Sequence, residues 1–135
     1  MNEEKKISLV VSAYNEQDGL RQFYDTSKRI MEDLQEKCGY SFQFCFVNDG
    51  STDRTGEILA ELKELDPEHV KTITFSRNFG HEAAMTAGLD YAEGEYLIFM
   101  DADLQHPPAC IPSIMEKFEE GYEIINMVRT QNRDA

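Results

Sequence analysis

Apolar residues recur along this chain in two periods, and the places where one gives way to the other mark its elements. Ile7 to Ala13 is short, rich in β-branched residues and followed by the polar Tyr14-Asn15-Glu16, which predicts a first strand and its carboxyl-end loop. From about Gln17 to Lys37, Leu20, Phe23, Tyr24, Ser27, Ile30, Met31 and Leu34 fall at helical spacing, with Gly39 as a stop. Phe42, Phe44, Phe46 and Val47 then lead into Asn48-Asp49-Gly50-Ser51-Thr52-Asp53, a second strand ending in cap-forming polar residues. Ile58, Leu59, Leu62 and Leu65 mark a helix closed by Pro67, and Val70, Ile73 and Phe75 a third strand running into Ser76-Arg77-Asn78-Phe79-Gly80. The next helix carries Ala83, Ala84, Ala87, Gly88 and Ala92, small enough for close approach to a sheet, and Gly94 ends it.

The longest apolar run, Tyr96 to Met100, ends abruptly in Asp101-Ala102-Asp103-Leu104-Gln105-His106-Pro107-Pro108 and predicts a fourth, buried strand. Ile111, Ile114, Met115 and Phe118 predict a further helix, stopped at Gly121, and Tyr122 to Val128 a fifth strand. Strands alternating with helices at this spacing give an α/β fold with a mainly parallel sheet and right-handed crossovers. In such sheets ligands bind at the carboxyl ends of the strands, near the switch in strand order, and every polar cluster falls at a strand's carboxyl end.

Composition narrows the picture. A length of 135 residues suits one domain, residues 1–135, with a sizeable core, yet is short for an enzyme that must hold two substrates. No apolar run approaches the roughly 18 residues of a membrane span, and the first residues lack a signal-peptide core, so the expectation is a soluble, cytoplasmic chain. Cys38, Cys45 and Cys110 form no Cys-x-x-Cys and read as reduced thiols. With 26 acidic against 13 basic residues, a net charge of −13 argues against nucleic acid as a partner and requires a local cation for any polyanionic ligand.

The chemistry-bearing residues sit in the strand-end loops. Asp101 and Asp103, two apart, project to one side of an extended backbone, and with Gln105 they offer hard oxygen ligands for Mg2+ or Mn2+; the plainer alternative is a solvated acidic turn. Tyr14, Glu16, Asp49 and Arg77 add an aromatic face, acceptors and a cation, the set a nucleotide needs. Taken singly, Tyr14 also reads as a packing residue, Glu16 as a first-turn helix acid, Asp49 as a turn former and Arg77 as a solvated charge. His69, His81 and His106 read as polar surface. Without Gly-x-Gly-x-x-Gly after the first strand, a P-loop or a serine nucleophile elbow, dinucleotide oxidoreductases, P-loop phosphotransferases and serine hydrolases drop out. A metal-assisted reaction of an activated nucleotide conjugate remains.

Val10 to Glu16, Val47 to Asp53, Ser76 to Gly80 and Asp101 to Pro108, in that order across nearly the whole chain, resemble family 2 glycosyltransferases, most closely the polyprenyl-phosphate branch of dolichol-phosphate mannosyltransferases and bactoprenol glucosyltransferases. The resemblance implies a GT-A (Rossmann-like) fold, inverting hexose transfer from a UDP- or GDP-sugar, and a divalent metal. By position it assigns Ser12, Tyr14, Glu16, Val47, Asp49, Arg77, Asp101, Ala102 and Asp103 to the nucleotide sugar, with Asp103, Gln105 and, as a third candidate, Asp101 on the metal. No catalytic base is assigned. Ser12 departs from the family's usual proline. In the family the acceptor half and membrane helices follow the point where this chain stops. The resemblance therefore implies a truncated GT-A domain, low transfer activity alone, and a parent protein at the cytoplasmic membrane face acting on a polyprenyl phosphate. Apolar surface left bare by a missing half would favour a homo-oligomer. The alternatives are a non-catalytic nucleotide-binding module of the same fold, or a nucleotidyltransferase.

Overall fold

The computed structural model describes residues 6–92, 96–102 and 124–126. Along the chain run β1 (Lys6–Ala13), α1 (Leu20–Cys38), β2 (Ser41–Asn48), α2 (Thr55–Leu65), β3 (Val70–Thr74), α3 (His81–Tyr91), β4 (Tyr96–Asp101) and β5 (Ile124–Asn126). The strands form one sheet in the order β3-β2-β1-β4-β5, and every neighbouring pair is parallel. The α/β expectation is met. The chain builds outward from β1 through β2 to β3, then returns to lay β4 on the other side, so the switch in strand order lies between β1 and β4.

Both faces of the sheet are covered, which is why β1 and β2 read as near-continuous apolar runs. On one face Ile7, Leu9, Val11, Phe42, Phe44, Phe46, Ile98 and Met100 pack under α1 and α2, against Leu20, Phe23, Met31, Ile58, Leu59 and Leu62. On the other, Val10, Cys45, Val47 and Phe99 meet Ala84 of α3. The small-residue expectation for α3 holds where it can be measured: a Cβ built on Gly88 would lie 2.2 Å from Val10 Cγ1, so only glycine lets this helix sit so close to β1. Burial pushes the Cys45 thiol up to about 11, despite the opposing charge of Lys71.

Several sequence expectations shift. The first helix starts at Leu20 rather than near Gln17, because the Glu16 carbonyl accepts from the Gly19 and Leu20 N–H groups in a turn that precedes it. It ends as expected, with Gly39 at φ 81° donating to the Gln35 carbonyl. Leu65 lies at the last residue of α2 and is 74% exposed, not part of the core stripe. Val70 packs on the opposite face from Ile73 and Phe75, as a two-residue period requires of positions 70 and 73. Strand β5 is seen over Ile124–Asn126, within the expected Tyr122 to Val128. The expected helix around Ile111 to Phe118 lies outside the described residues. Among the described residues no helix is long and apolar enough to cross a membrane.

Candidate functional site at the carboxyl edge

Strands β2, β3 and β4 each carry their hydrogen-bonding past their end and so fix the start of the loop that follows. Asp49 donates its N–H to the Ala13 carbonyl (2.9 Å), Phe75 to Asn48 (2.9 Å) and Ala102 to Ser12 (3.1 Å). Val47, Ser12 and Asp101 are register partners across β2, β1 and β4, forming one row next to the switch point. Asp101 is half-buried at the end of that row, and Ala102 is fully buried.

The loops after β1 and β2 are riveted to each other. Asn15 takes a left-handed conformation (φ 53°), which asparagine tolerates better than most residues. There its side-chain oxygen accepts from the backbone of Thr52 (2.8 Å) and Asp53 (3.3 Å), while its own N–H donates to Ser51 Oγ (3.0 Å). Glu16 and Gln17 donate their N–H groups to Thr55 Oγ1 and Asp53 Oδ2, and Arg54 N–H returns a bond to Gln17 Oε1. Burial raises the Asp53 carboxyl, but the Thr55 hydroxyl and the Thr55 and Gln17 N–H groups outweigh it and hold the pKa below the usual range.

The loop after β3 is drawn inward over β2. Asp49 is 3% exposed, and its carboxylate accepts from the backbone of Phe79 (2.8 Å) and Gly80 (3.1 Å), while Asn78 Nδ2 donates to the Asp49 carbonyl (3.3 Å). Gly50 has φ 70°, and a Cβ built on it would lie 2.1 Å from the Arg77 carbonyl carbon, so backbone rests directly on backbone here. The contact needs glycine twice, for the dihedral and for the space. Above it the Phe79 ring meets Phe75 edge-on at 5.6 Å, and the Arg77 guanidinium lies over Phe79 at 4.8 Å from the ring centre.

Six of the expected residues thus meet at one edge: Ser12, Val47, Asp101 and Ala102 along the sheet row, Asp49 just after β2, and Arg77 in the crossing loop. Tyr14 is 44% exposed beside them rather than packed away, and Glu16 sits half-buried before α1 instead of in its first turn. Asp103, Gln105 and His106 lie outside the described residues. Among the described residues no group of three or more His, Cys, Asp or Glu could hold a metal. His69 is at the opposite end of the sheet, bonded to Asp66 and stacked on Phe42. Sequence reasoning missed Asn15, Asp53 and Phe79. An asparagine facing a Ser-Thr-Asp run and an aromatic amid polar loop residues were the available signals.

A family model described as glycosyl transferase family 2 matches residues 8–135. The chain is similar to the glycosyltransferase YkcC of Bacillus subtilis, 45% identical over 133 residues, covering 98% of this chain and 40% of that protein. It is also similar to the undecaprenyl-phosphate 4-deoxy-4-formamido-L-arabinose transferase of Klebsiella pneumoniae, 35% identical over 131 residues, covering 97% of this chain and 39% of that one. The chain thus spans about 40% of the length of these relatives. In fold it resembles the mannosyltransferase PcManGT of Pyrobaculum calidifontis, solved with GDP-Man and Mn2+ (TM-score 0.63, 21% identity, 76% of this chain and 28% of that one). S. aureus TarS, solved with UDP, is a second likeness (TM-score 0.59, 24% identity, 80% of this chain and 32% of that one).

Proposed function

The chain belongs to glycosyl transferase family 2, and we propose that it forms the donor-binding part of a metal-dependent, inverting enzyme that transfers a hexose from a nucleoside-diphosphate sugar to a polyprenyl phosphate. The observation that carries this reading is the convergence of Tyr14, Asp49, Arg77 and Asp101 on the carboxyl edge beside the β1–β4 switch, where open α/β sheets bind nucleotides.

In this reading the exposed Tyr14 ring packs on the base, and Glu16 and Asp49 accept from base and ribose. Ser12, Val47 and Ala102 line the floor, Asp101 lies beside ribose and diphosphate, and Arg77 faces the diphosphate or sugar. Asp101 suits a hard divalent cation, being a carboxylate that closes β4 beside the switch point. Asp103 and Gln105 would complete the ligand set for Mg2+ or Mn2+. When bound, such a cation stabilises the departing diphosphate. A phosphate acceptor is already anionic, so alignment with the anomeric carbon contributes more than proton removal. The naming of the Klebsiella relative as an undecaprenyl-phosphate transferase supports the acceptor class, and the ligands of the two solved structures support GDP or UDP as the nucleotide.

A thermal-shift panel of UDP-, GDP-, CDP- and dTDP-sugars, with and without Mn2+, tests the donor reading. A ligand present at 100 times its Kd stabilises the native state by about 2.7 kcal/mol. One nucleotide class should raise the melting temperature, and more so with Mn2+. No shift with any of them would overturn the proposal.

A further inference from the structure

We infer that Phe79 is a positioning residue of the donor site: its ring holds the Arg77 guanidinium at the edge where a nucleoside diphosphate would lie. The inference rests on the donor-site reading and extends it to a residue that reading leaves unused.

The structure builds this arrangement in steps. Both oxygens of the buried Asp49 carboxylate are bonded to the backbone at 79 and 80, and Gly50 seats the backbone of Arg77 and Asn78 on the end of β2. The loop after β3 is thereby carried toward β1 instead of out over the open edge. Phe79 leaves half its surface in water, with a relative exposure of 50%, and packs its ring against Phe75. Its neighbour Arg77 covers it with a guanidinium at 4.8 Å.

A cation–π contact suits an arginine that must still bind an anion. An aromatic ring attracts the guanidinium without accepting from its N–H donors as a carboxylate would, so donors remain for paired bonds to phosphate oxygens. Arg21, Lys28, Lys37 and Arg54 instead engage carboxylates. Among the described residues no carboxylate pairs with Arg77. On a chain of net charge −13, a cation held by a ring rather than by an acid keeps its full charge for a polyanionic ligand.

The test compares Arg77→Ala, Phe79→Leu, Phe79→Tyr and the Arg77→Ala/Phe79→Leu pair with the unaltered chain. Affinities for UDP and GDP, and for uridine and guanosine by competition, are measured by calorimetry at fixed Mn2+. Arg77→Ala should weaken diphosphate binding about tenfold and leave nucleoside binding unchanged. Phe79→Leu should weaken diphosphate binding roughly two- to fivefold with nucleoside binding intact, and Phe79→Tyr should restore it. The double variant should bind diphosphate no more weakly than Arg77→Ala alone. Retained nucleoside affinity doubles as the control for folding. Unchanged diphosphate affinity in Phe79→Leu, or equal loss of nucleoside and diphosphate, overturns the positioning role while leaving the donor site standing. An unaltered chain that binds no nucleotide overturns both.

Discussion

The Asp49 carboxylate lies 2.8 Å from the backbone nitrogen of Phe79, thirty residues further along the chain, and ties the loop after β3 to the end of β2. Removing it leaves two N–H groups without their acceptor in a partly buried place. Asp49→Ala should therefore cost about 1–3 kcal/mol in urea unfolding and weaken free UDP or GDP as well as their sugar conjugates. Loss of conjugate binding alone, with the free nucleotide untouched, would remove Asp49 from the nucleoside pocket.

Gly50 and Gly39 both have positive φ, at 70° and 81°, but only Gly50 has backbone where a Cβ would go. Gly39→Ala should cost about 1–2 kcal/mol, the penalty of a left-handed side chain. Gly50→Ala should cost that and about 1–3 kcal/mol more, because neither the strand end nor the crossing loop can give way without breaking the Asp49 bonds. Denaturant midpoints of the two variants make the comparison. Equal losses would mean that the crossing loop yields freely.

The fold was legible because each element obeys its own local rule. The apolar runs of β1 and β2, the stripe from Leu20 to Leu34 and the stop at Gly39 need nothing beyond periodicity and backbone sterics. Where rules met, the reading failed: the extra turn at Glu16 belongs to the rivet between the first two loops, and Leu65 falls on the last residue of its helix. At the site, residue type revealed which loops carry chemistry. It did not reveal that Asn15 reaches Thr52 and Asp53, or that Asp49 reaches Phe79 and Gly80, since those bonds join positions 30 to 38 residues apart. Long-range pairing of loops depends on strand order, which no single segment encodes.

Stability should fall at both ends of the pH scale through groups away from the site. The Asp66 carboxylate accepts from the Tyr24 hydroxyl (2.6 Å), Lys28 (2.9 Å) and His69 (2.9 Å). Burial alone would raise its pKa, but these three partners outweigh burial and lower it. A depressed carboxyl stabilises the fold above its unfolded pKa, near 3.9, and that contribution is lost as pH falls through the folded value. Tyr24 runs the other way. Burial, reinforced by the bond to Asp66, pushes it up to about 12, so its contribution is whole below the unfolded value near 10 and lost as pH rises toward 12. Tyr24→Phe should flatten the alkaline limb of a melting-temperature profile. It should also make the acid limb shallower, because Asp66 loses one donor. An unchanged alkaline limb would assign that loss to other groups, with Cys45 the next candidate.

The last prediction concerns the metal. Asp101 ends β4 in register with Ser12, beside the switch point. Asp103 continues the two-residue spacing of hard oxygen donors, and its chief contribution in the proposed site is an ionised carboxylate for a divalent cation. Asp103→Ala should therefore leave unfolding in metal-free buffer within about 0.5 kcal/mol of the unaltered chain. It should abolish the Mn2+-dependent part of nucleotide affinity, while the weaker metal-free binding persists. Calorimetric titration of UDP and GDP into both proteins, with Mn2+ and then with EDTA, separates the two contributions. Equal enhancement by Mn2+ in the two proteins would remove Asp103 from the ligand set and leave Asp101 and Gln105 to be tested in the same way.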